Sequence, residues 1–242
     1  MIDLHRPSDG RVLRIGHRGA AALAPENTIA AFEAALELGV DFVEFDVLEA
    51  PDGSLAVAHD PSVYRPGAPT LGEVLAFFEG SPEVRLHVDV KARDAASVGR
   101  ALVEAGLVER SVATSSWPHR LRELRAAVPE LAVGLTYPDD RRGIARRRLA
   151  RPFVLPTVKA LGKALPLRLP RWLAATDARA AMLHFAVVSP AVVARCREHG
   201  IAVWVWTVNE LELLDRLVAW GVDGVITDDP RIFGRSASTL TA

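Results

Sequence analysis

The chain has 242 residues, of which 50% are hydrophobic and 24% are charged, and its formal net charge at pH 7 is −1. This composition is typical of a globular protein with a substantial core and argues against a disordered chain. The near-zero net charge gives no overall attraction to nucleic acid, and the lone Cys196 excludes an internal disulfide.

The N-terminal segment lacks the continuous apolar stretch of a signal peptide. No segment reaches the ~18 uninterrupted apolar residues of a membrane span. We therefore expect a cytoplasmic protein.

Short apolar runs rich in β-branched residues predict eight strands, at 11–15, 42–47, 84–90, 111–115, 131–137, 182–188, 201–208 and 224–228. Between most of them lie helix-like segments with apolar residues three and four apart and a closing glycine. Eight alternating units favour a closed (β/α)8 TIM barrel, an α/β fold, in a single domain over 1–242. An open doubly wound sheet is the alternative, although no GxGxxG follows the first strand.

Two segments share one pattern. Residues 34–46 and 216–228 each contain the end of a helix, Gly-Val-Asp, a strand and a closing acid, which indicates a common βα unit. After the second strand, Asp52-Gly53 predicts a hairpin turn that returns His59 to the acids at the end of that strand. Residues 138–177 are too long for one barrel helix, and we interpret them as a basic helical insertion after the fifth strand.

Within this insertion, residues 141–172 hold ten Lys and Arg and no acid. One interpretation is a solvated basic face packed on the barrel. The other is peripheral contact with an anionic membrane, because apolar residues alternate with the cations. These apolar residues are Phe153, Leu155, Leu161, Leu165 and Trp172. The prolines at 152, 156, 166 and 170 predict short broken helices instead of one long helix.

The active site of a β/α barrel lies at the carboxyl ends of its strands. The polar residues predicted at these ends are His17, Arg18, Glu44, Asp46, His59, Asp89 and Lys91. Side chains two residues apart on a strand share a face, so Glu44 and Asp46 point the same way. The same holds for Asp89 and Lys91. Three carboxylates are therefore expected to converge.

Convergent carboxylates raise one another's pKa unless a cation lies between them, so we predict a metal site. Ligation by oxygen alone favours Mg²⁺ or Ca²⁺ over Zn²⁺. Arg18 and Lys91 are available for an anion, and His17 and His59 can exchange protons near neutral pH. Together these residues predict a phosphoryl-transfer site.

Structural alternatives remain open for several of these residues. Glu44 and Asp46 could be surface acids, and His59-Asp60 could be a solvated pair at the end of the hairpin. Residues 25–28 could simply start a helix, with Asn27 or Thr28 as its cap. His87 is assigned either to the core or to the support of the site. The remaining histidines are interpreted as structural or solvated, namely His5, His119, His184 and His199.

Seven motifs occur in a characteristic order: HRG (17–19), PENT (25–28), EFD (44–46), HD (59–60), DVK (89–91), WTVN (206–209) and GVDGVITDDP (221–230). In this order they resemble the glycerophosphodiester phosphodiesterases. The resemblance implies a (β/α)8 barrel that hydrolyses glycerophosphodiesters to an alcohol and glycerol 3-phosphate with a divalent cation.

The resemblance also implies residue roles. Glu44, Asp46 and Asp89 match metal ligands, and His17 and His59 match the general acid/base pair. Arg18 and Lys91 match phosphate contacts, and Trp206 matches an aromatic wall beside the substrate. Glu26 and Asn27 would brace the first loop.

The chain departs from the family pattern at two places. Asp89 stands where the family usually has glutamate. Residues 59–74 connect HD directly to a helix start, without the subdomain that many members insert there, which implies a more open site.

The expected partner is a small phosphodiester, and nothing indicates the oligomeric state. A lysophospholipase D or sphingomyelinase-D-like enzyme is one alternative, and a barrel that binds a phosphate ligand without catalysis is another. Binding of nucleic acid through the basic insertion is not expected, because the chain contains no known module and no interleaved aromatic residues there.

Overall fold

The computed structural model describes residues 2–138 and 151–235, without the side chains of 151–159 and Leu161. The strands are β1 (Leu13–Gly16), β2 (Phe42–Glu49), β3 (Leu55–Val57), β4 (Arg85–Val90), β5 (Ser111–Ser115), β6 (Ala132–Tyr137), β7 (Ala180–His184), β8 (Ala202–Trp206) and β9 (Gly224–Thr227). The α-helices are α1 (Ile29–Glu37), α2 (Leu71–Glu79), α3 (Ala95–Glu104), α4 (Pro118–Ala127), α5 (Arg151–Ala174), α6 (Pro190–Glu198) and α7 (Leu211–Trp220).

Eight strands form a closed parallel barrel. Neighbours follow the order β1, β9, β8, β7, β6, β5, β4, β2, and β1 also pairs with β2. The predicted (β/α)8 barrel is therefore confirmed, and the open-sheet alternative is wrong. Strand β3 pairs with β2 and runs antiparallel to it, with Val47 opposite Val57, as the turn at Asp52-Gly53 predicts.

Alternation along the strands divides the core into two layers. Ile15, Phe42 and Trp204 belong to the cluster inside the barrel, whereas Val43 and Phe45 belong to the larger cluster that also contains the buried helix residues. At the amino ends of the strands, the indole N–H of Trp204 donates to the carbonyl of Leu4 over 2.8 Å. The N-terminal segment thereby covers this end of the barrel.

The repeated Gly-Val-Asp pattern has a structural role at the same end. Asp41 precedes β2 and accepts hydrogen bonds from the backbone N–H of Arg14 at 2.8 Å and from Nη1 of Arg11 at 2.6 Å. Asp223 precedes β9 and accepts from the backbone N–H of Val203 at 2.8 Å. Each aspartate therefore ties its own strand to a neighbouring one.

One predicted strand is shorter than expected. Strand β7 ends at His184, whereas the apolar pattern extended the prediction to Val188. The His184 side chain accepts a hydrogen bond from the backbone N–H of Ala186 and caps a 3₁₀ turn at Phe185–Val187. This cap ends the extended backbone although the following residues are apolar.

The prediction of short broken helices after the fifth barrel strand is wrong for residues 151–174, which form the single helix α5. The fixed φ of proline is compatible with a helix, and each proline removes one backbone donor. Leu165, Leu169 and Leu173, four residues apart, are buried on one face of α5. Their burial offsets the missing hydrogen bonds.

Helix α5 thus connects β6 to β7 as a barrel helix does. Residues 139–150 lie outside the described part of the chain. The assignment of an insertion over 138–177 within one domain stays a prediction.

The residues predicted to contact a membrane do not share one outer face. Leu165 is buried, and Trp172 is half-buried with its ring 5.4 Å from that of Tyr137. The side chains of Phe153, Leu155 and Leu161 lie outside the described residues. Leu167 is 78% exposed on the same helix. Peripheral membrane contact stays a prediction. Among the described helices, none is both long and apolar enough to cross a membrane.

Candidate active site at the carboxyl ends of the strands

The first loop is held close to helix α1. Gly19 has a φ of +85°, and a Cβ at this position would come within 2.5 Å of the backbone carbonyl of Ala31. Only glycine fits this approach without strain. Thr28 is the N-cap of α1 and accepts from the backbone N–H of Ala31, so the helix-start interpretation is correct for this residue.

His17 is oriented by a residue from the other end of the chain. Its Nδ1 lies 2.6 Å from Oδ1 of Asp228, and Nδ2 of Asn209 donates to Oδ2 of Asp228 at 2.6 Å. A carboxylate only accepts hydrogen bonds, so Nδ1 carries a proton and Nε2 of the neutral ring holds a lone pair. Burial opposes ionisation of Asp228, but the hydrogen bonds from His17 and Asn209 hold its pKa below the usual value.

Asp228 and Asn209 were not among the predicted site residues. Both lie in motifs noted in the sequence, and Asp228 closes the last predicted strand. The pairing of β1 with β9 is what brings Asp228 to His17.

Asp46 is the centre of a buried polar cluster, and its side chain is 3% exposed. Nζ of Lys91 lies 2.5 Å from Oδ1. Three groups approach Oδ2, namely Nδ2 of Asn27 at 3.0 Å, Nε of Arg18 at 3.1 Å and Nδ1 of His59 at 3.3 Å. The carbonyl oxygen of the Asn27 side chain also accepts from the backbone N–H of Asp46. The interpretation of Asp46 as a surface acid is therefore wrong.

Glu44 and Arg18 extend this cluster towards His17. Glu44 is also buried, and its Oε2 accepts from the backbone N–H of Arg18 at 2.8 Å. Nη1 of Arg18 donates to Oε2 of Glu26 at 2.6 Å. Oε2 of Glu44 lies 3.9 Å from Nε2 of His17. The sequence motifs HRG, PENT and EFD therefore meet in one place.

The charges of the cluster shift one another's pKa. Burial raises the pKa of Glu44 well above its usual value, and Asp46 and Asp89 raise it further. Burial also raises the pKa of Asp89. For Asp46, burial acts in the same direction, but Lys91, His59 and Arg18 hold its pKa well below the usual value. The pKa of Lys91 is raised by Asp46 and Asp89 against the effect of burial.

The carboxylate oxygens of Glu44, Asp46 and Asp89 are ligands of the kind that a hard divalent cation prefers. Asp46 and Asp89 are register partners on β2 and β4, and Glu44 precedes Asp46 by two residues on the same face. Lys91 Nζ lies near both aspartates, 3.6 Å from Oδ2 of Asp89. In the described residues, no three His, Cys, Asp or Glu side chains are already arranged around a metal position. Burial raises the pKa of Glu44 and of Asp89, and a cation bound between these carboxylates would favour their charged forms.

His59 returns to the acids as the hairpin predicts. Its Nδ1 lies 2.6 Å from Nζ of Lys91. The same Nδ1 lies 3.3 Å from Oδ2 of Asp46. The ammonium only donates and the carboxylate only accepts, so Nδ1 faces one partner of each kind and these two contacts do not assign the ring proton of His59.

His87 lies beneath the site. It is buried, and its Nε2 lies 2.9 Å from Oγ1 of Thr114, which donates to Oδ1 of Asp89 at 2.9 Å. Burial lowers the pKa of His87 to about 3, so the ring is neutral. His87 is therefore buried, and it also supports Asp89 through Thr114. It thus has both of the roles left open by the sequence, in the core and in the support of the site.

The opposite side of the barrel mouth contains Trp206, at the end of β8. Its indole N–H donates to the carbonyl of Met182 at 3.0 Å, which fixes the ring. His184 lies beside it, with ring centroids 5.0 Å apart. Its ring packs on Trp206 and its Nδ1 caps the turn after β7, which agrees with the structural interpretation of this residue.

The sequence matches the model of the glycerophosphoryl diester phosphodiesterase family over residues 17–69 and 66–232. The chain belongs to this family. The motif resemblance is thereby confirmed.

Bacterial relatives support the assignment. A glycerophosphodiester phosphodiesterase of Caldanaerobacter subterraneus subsp. tengcongensis is 29% identical over 259 residues, which cover 91% of this chain and 95% of the relative. A probable glycerophosphodiester phosphodiesterase 2 of Mycobacterium tuberculosis is 26% identical and covers 90% of this chain and 88% of the relative.

Solved structures share the fold. The putative glycerophosphoryl diester phosphodiesterase of Silicibacter pomeroyi is similar with a TM-score of 0.77 at 24% identity, covering 95% of each chain. An Oleispira antarctica phosphodiesterase, solved in complex with the product sn-glycerol-3-phosphate, has a TM-score of 0.72 at 21% identity. It covers 90% of this chain and 93% of that one.

Proposed function

We propose that this chain hydrolyses glycerophosphodiesters to glycerol 3-phosphate and an alcohol. The observation that carries the proposal is that His17 and His59 lie in one barrel mouth with Arg18, Lys91 and three carboxylates. Membership of the family supports it, as does the product named for the Oleispira antarctica structure.

Arg18 and Lys91 bind the phosphate in this proposal. The guanidinium of Arg18 is held by Glu26 and Asp46, and the ammonium of Lys91 by Asp46. These ion pairs keep both cations in place before the substrate arrives, so that little reorganisation is needed on binding. Both groups are also kept charged, since neighbouring acids raise the pKa of each against the effect of burial.

The two histidines divide the proton transfers. His17 accepts a proton at Nε2 from the attacking hydroxyl, and Asp228 stabilises the imidazolium that forms. His59 acts as the acid: its imidazolium donates a proton to the leaving alkoxide and becomes neutral imidazole. By family resemblance the attacking group is the 2-hydroxyl of the substrate's own glycerol, which gives a cyclic phosphate that water then opens with the proton transfers reversed.

Glu44, Asp46 and Asp89 would hold a divalent cation, Mg²⁺ or Ca²⁺. When bound, such an ion polarises a phosphate oxygen and stabilises the charge that develops on it. Thr114 and His87 keep Asp89 oriented towards this position.

Release of glycerol 3-phosphate from purified protein tests the proposal. The substrates are glycerophosphocholine, glycerophosphoethanolamine and a lysophospholipid, each with Mg²⁺, with Ca²⁺ and with excess EDTA. We expect glycerol 3-phosphate from the first two, with loss of activity in EDTA and recovery on addition of the ion.

Three results would contradict parts of the proposal. No turnover of any substrate would contradict the activity, and full activity in EDTA would contradict the cation. Release of lysophosphatidic acid from the lysophospholipid, without turnover of the other two, would instead favour the lysophospholipase D alternative.

A further inference from the structure

The barrel mouth contains a third histidine that the two proton transfers do not use. His184 is the last residue of β7 and lies opposite Trp206 in the pairing of β7 with β8. Met182, two residues earlier, belongs to the cluster inside the barrel. Because alternate residues share a face, His184 points inward at the carboxyl end, where its ring meets that of Trp206 edge to face.

The hydrogen bonds of His184 locate its ring proton. The backbone N–H of Ala186 donates to Nδ1 over 3.2 Å, so Nδ1 holds the lone pair and Nε2 holds the proton. Burial lowers the pKa of the ring, which keeps it neutral at pH 7. Within residues 2–138 and 151–235 no atom accepts from Nε2, and this nitrogen is not among the buried polar atoms left without a partner. His184 therefore offers the mouth one N–H donor and no charge.

The two sides of the mouth differ in what they can bind. Arg18 and Lys91 lie on the side of β1, β2 and β4, where an anionic phosphate is favoured. The side of β7 and β8 presents the indole of Trp206 and the neutral N–H of His184. A ring surface with one adjacent donor suits a polyol, whose C–H groups pack on the ring while a hydroxyl accepts the hydrogen bond.

We propose that His184 and Trp206 form the subsite for the glycerol moiety, with Nε2 of His184 donating to a glycerol hydroxyl. The inference deepens the proposed function and rests on it. His184 is then a specificity residue that selects a hydroxylated substituent on the phosphate. It takes no part in the proton transfers.

Calorimetric titration with two ligands tests this subsite. Sn-glycerol 3-phosphate fills both the phosphate position and the glycerol subsite, whereas inorganic phosphate fills the first alone. We expect His184→Phe to weaken binding of glycerol 3-phosphate about tenfold, the loss of one hydrogen bond, and to change binding of inorganic phosphate less than twofold. His184→Gln retains an N–H donor and an acceptor for Ala186, and it should keep most of the affinity.

Equal affinity of the His184→Phe variant and the wild-type protein for glycerol 3-phosphate would overturn the proposal. Equal weakening for both ligands would also overturn it, because that result indicates a structural role. If His184→Phe does not fold, His184→Ala and the Gln variant give the same comparison. A wild-type protein that binds glycerol 3-phosphate through His184 but hydrolyses no diester would contradict the proposed function alone.

Discussion

The two ends of the barrel use aspartates in different ways. In each repeated segment, two aspartates stand five residues apart, Asp41 and Asp46 in one and Asp223 and Asp228 in the other. Asp41 and Asp223 lie at the amino ends of the strands and bind backbone N–H groups. Asp46 and Asp228 lie at the carboxyl ends and bind side chains of the candidate site.

This difference follows from what each aspartate binds. A backbone N–H is part of the fold, so its partner contributes to stability. A histidine or lysine in an open mouth can exchange its partner for a substrate, so the carboxylate beside it contributes to chemistry. One βα unit therefore supplies a structural and a functional acid, and substitutions at the two ends should have separable effects.

The largest effects are expected for the histidines of the mouth. His17→Ala and His59→Ala should each lower kcat by roughly 10²–10⁴ while the fold persists, because each loses a proton-transfer group. His5→Ala is the control at the amino end, where His5 is half-exposed and its Nδ1 lies 3.4 Å from Asp223. Steady-state kinetics with glycerophosphocholine and circular dichroism measure both properties. Turnover near the wild-type value in His17→Ala or His59→Ala would refute the acid/base assignment.

Asp228→Asn should lower kcat by about 10²–10³ with little change in Tm. The N–H of Asn209 would hold the new amide with its oxygen towards Asn209 and its nitrogen towards His17. That amide would donate to Nδ1, so the ring proton would move to Nε2 and remove the base. Asp223→Asn is the matched control, five residues earlier in the same repeat, and should keep the wild-type kcat. The outcome that contradicts this prediction is equal kcat in the two variants.

Asp41→Asn should lower the free energy of unfolding by about 1–3 kcal/mol and leave kcat unchanged. The side chain of Asp41 is 10% exposed and accepts a short ionic hydrogen bond from Arg11. Asp223→Asn should lower the free energy of unfolding by a similar amount for another reason, because the two oxygens of Asp223 accept from the backbone N–H groups of Val203 and Arg6 and an amide can accept only one of them. Urea unfolding of both variants measures these losses. Wild-type stability in either variant would contradict the structural role of that aspartate.

The smallest effect is the pH dependence of the Asp41 contribution. Burial opposes ionisation, but the hydrogen bonds from Arg11 and Arg14 lower the pKa of Asp41 below its unfolded value of about 3.9. The stability from this group is therefore complete above the unfolded pKa and disappears as pH falls through the lower folded pKa. The difference in free energy of unfolding between the wild-type protein and Asp41→Asn should be constant between about pH 6 and 8 and should become smaller below about pH 4.

Urea unfolding at a series of pH values measures this difference in free energy of unfolding. A difference that is as large at pH 3 as at pH 7 would show that the charge of Asp41 does not cause it. A difference that changes between pH 6 and 8 would show that another titrating group contributes to it.

Much of the site could be predicted from local pattern. Strand alternation placed Glu44, Asp46 and Asp89 on the inner face, because side-chain direction on a strand depends only on residue parity. The turn at Asp52-Gly53 placed His59 beside them for a similar reason, since a short hairpin constrains where its ends lie. Motif order then identified the family.

Other features depended on long-range packing. The sequence alone did not reveal that the four prolines between 151 and 174 are compatible with one helix, because the burial of Leu165, Leu169 and Leu173 against the rest of the fold compensates for them. It also did not distinguish His184 from the other histidines, because its cap on Ala186 ends β7 earlier than the apolar pattern indicates.

Sequence by itself determined the fold class, the family and the inward-facing acids, since these follow from periodicity and from short motifs. Only the tertiary structure determined the partners of the histidines. His17 and Asp228 are 211 positions apart, and closure of the barrel between β1 and β9 is what brings them within 2.6 Å. Periodicity states which way a side chain points, whereas the identity of its neighbour depends on which strands pair.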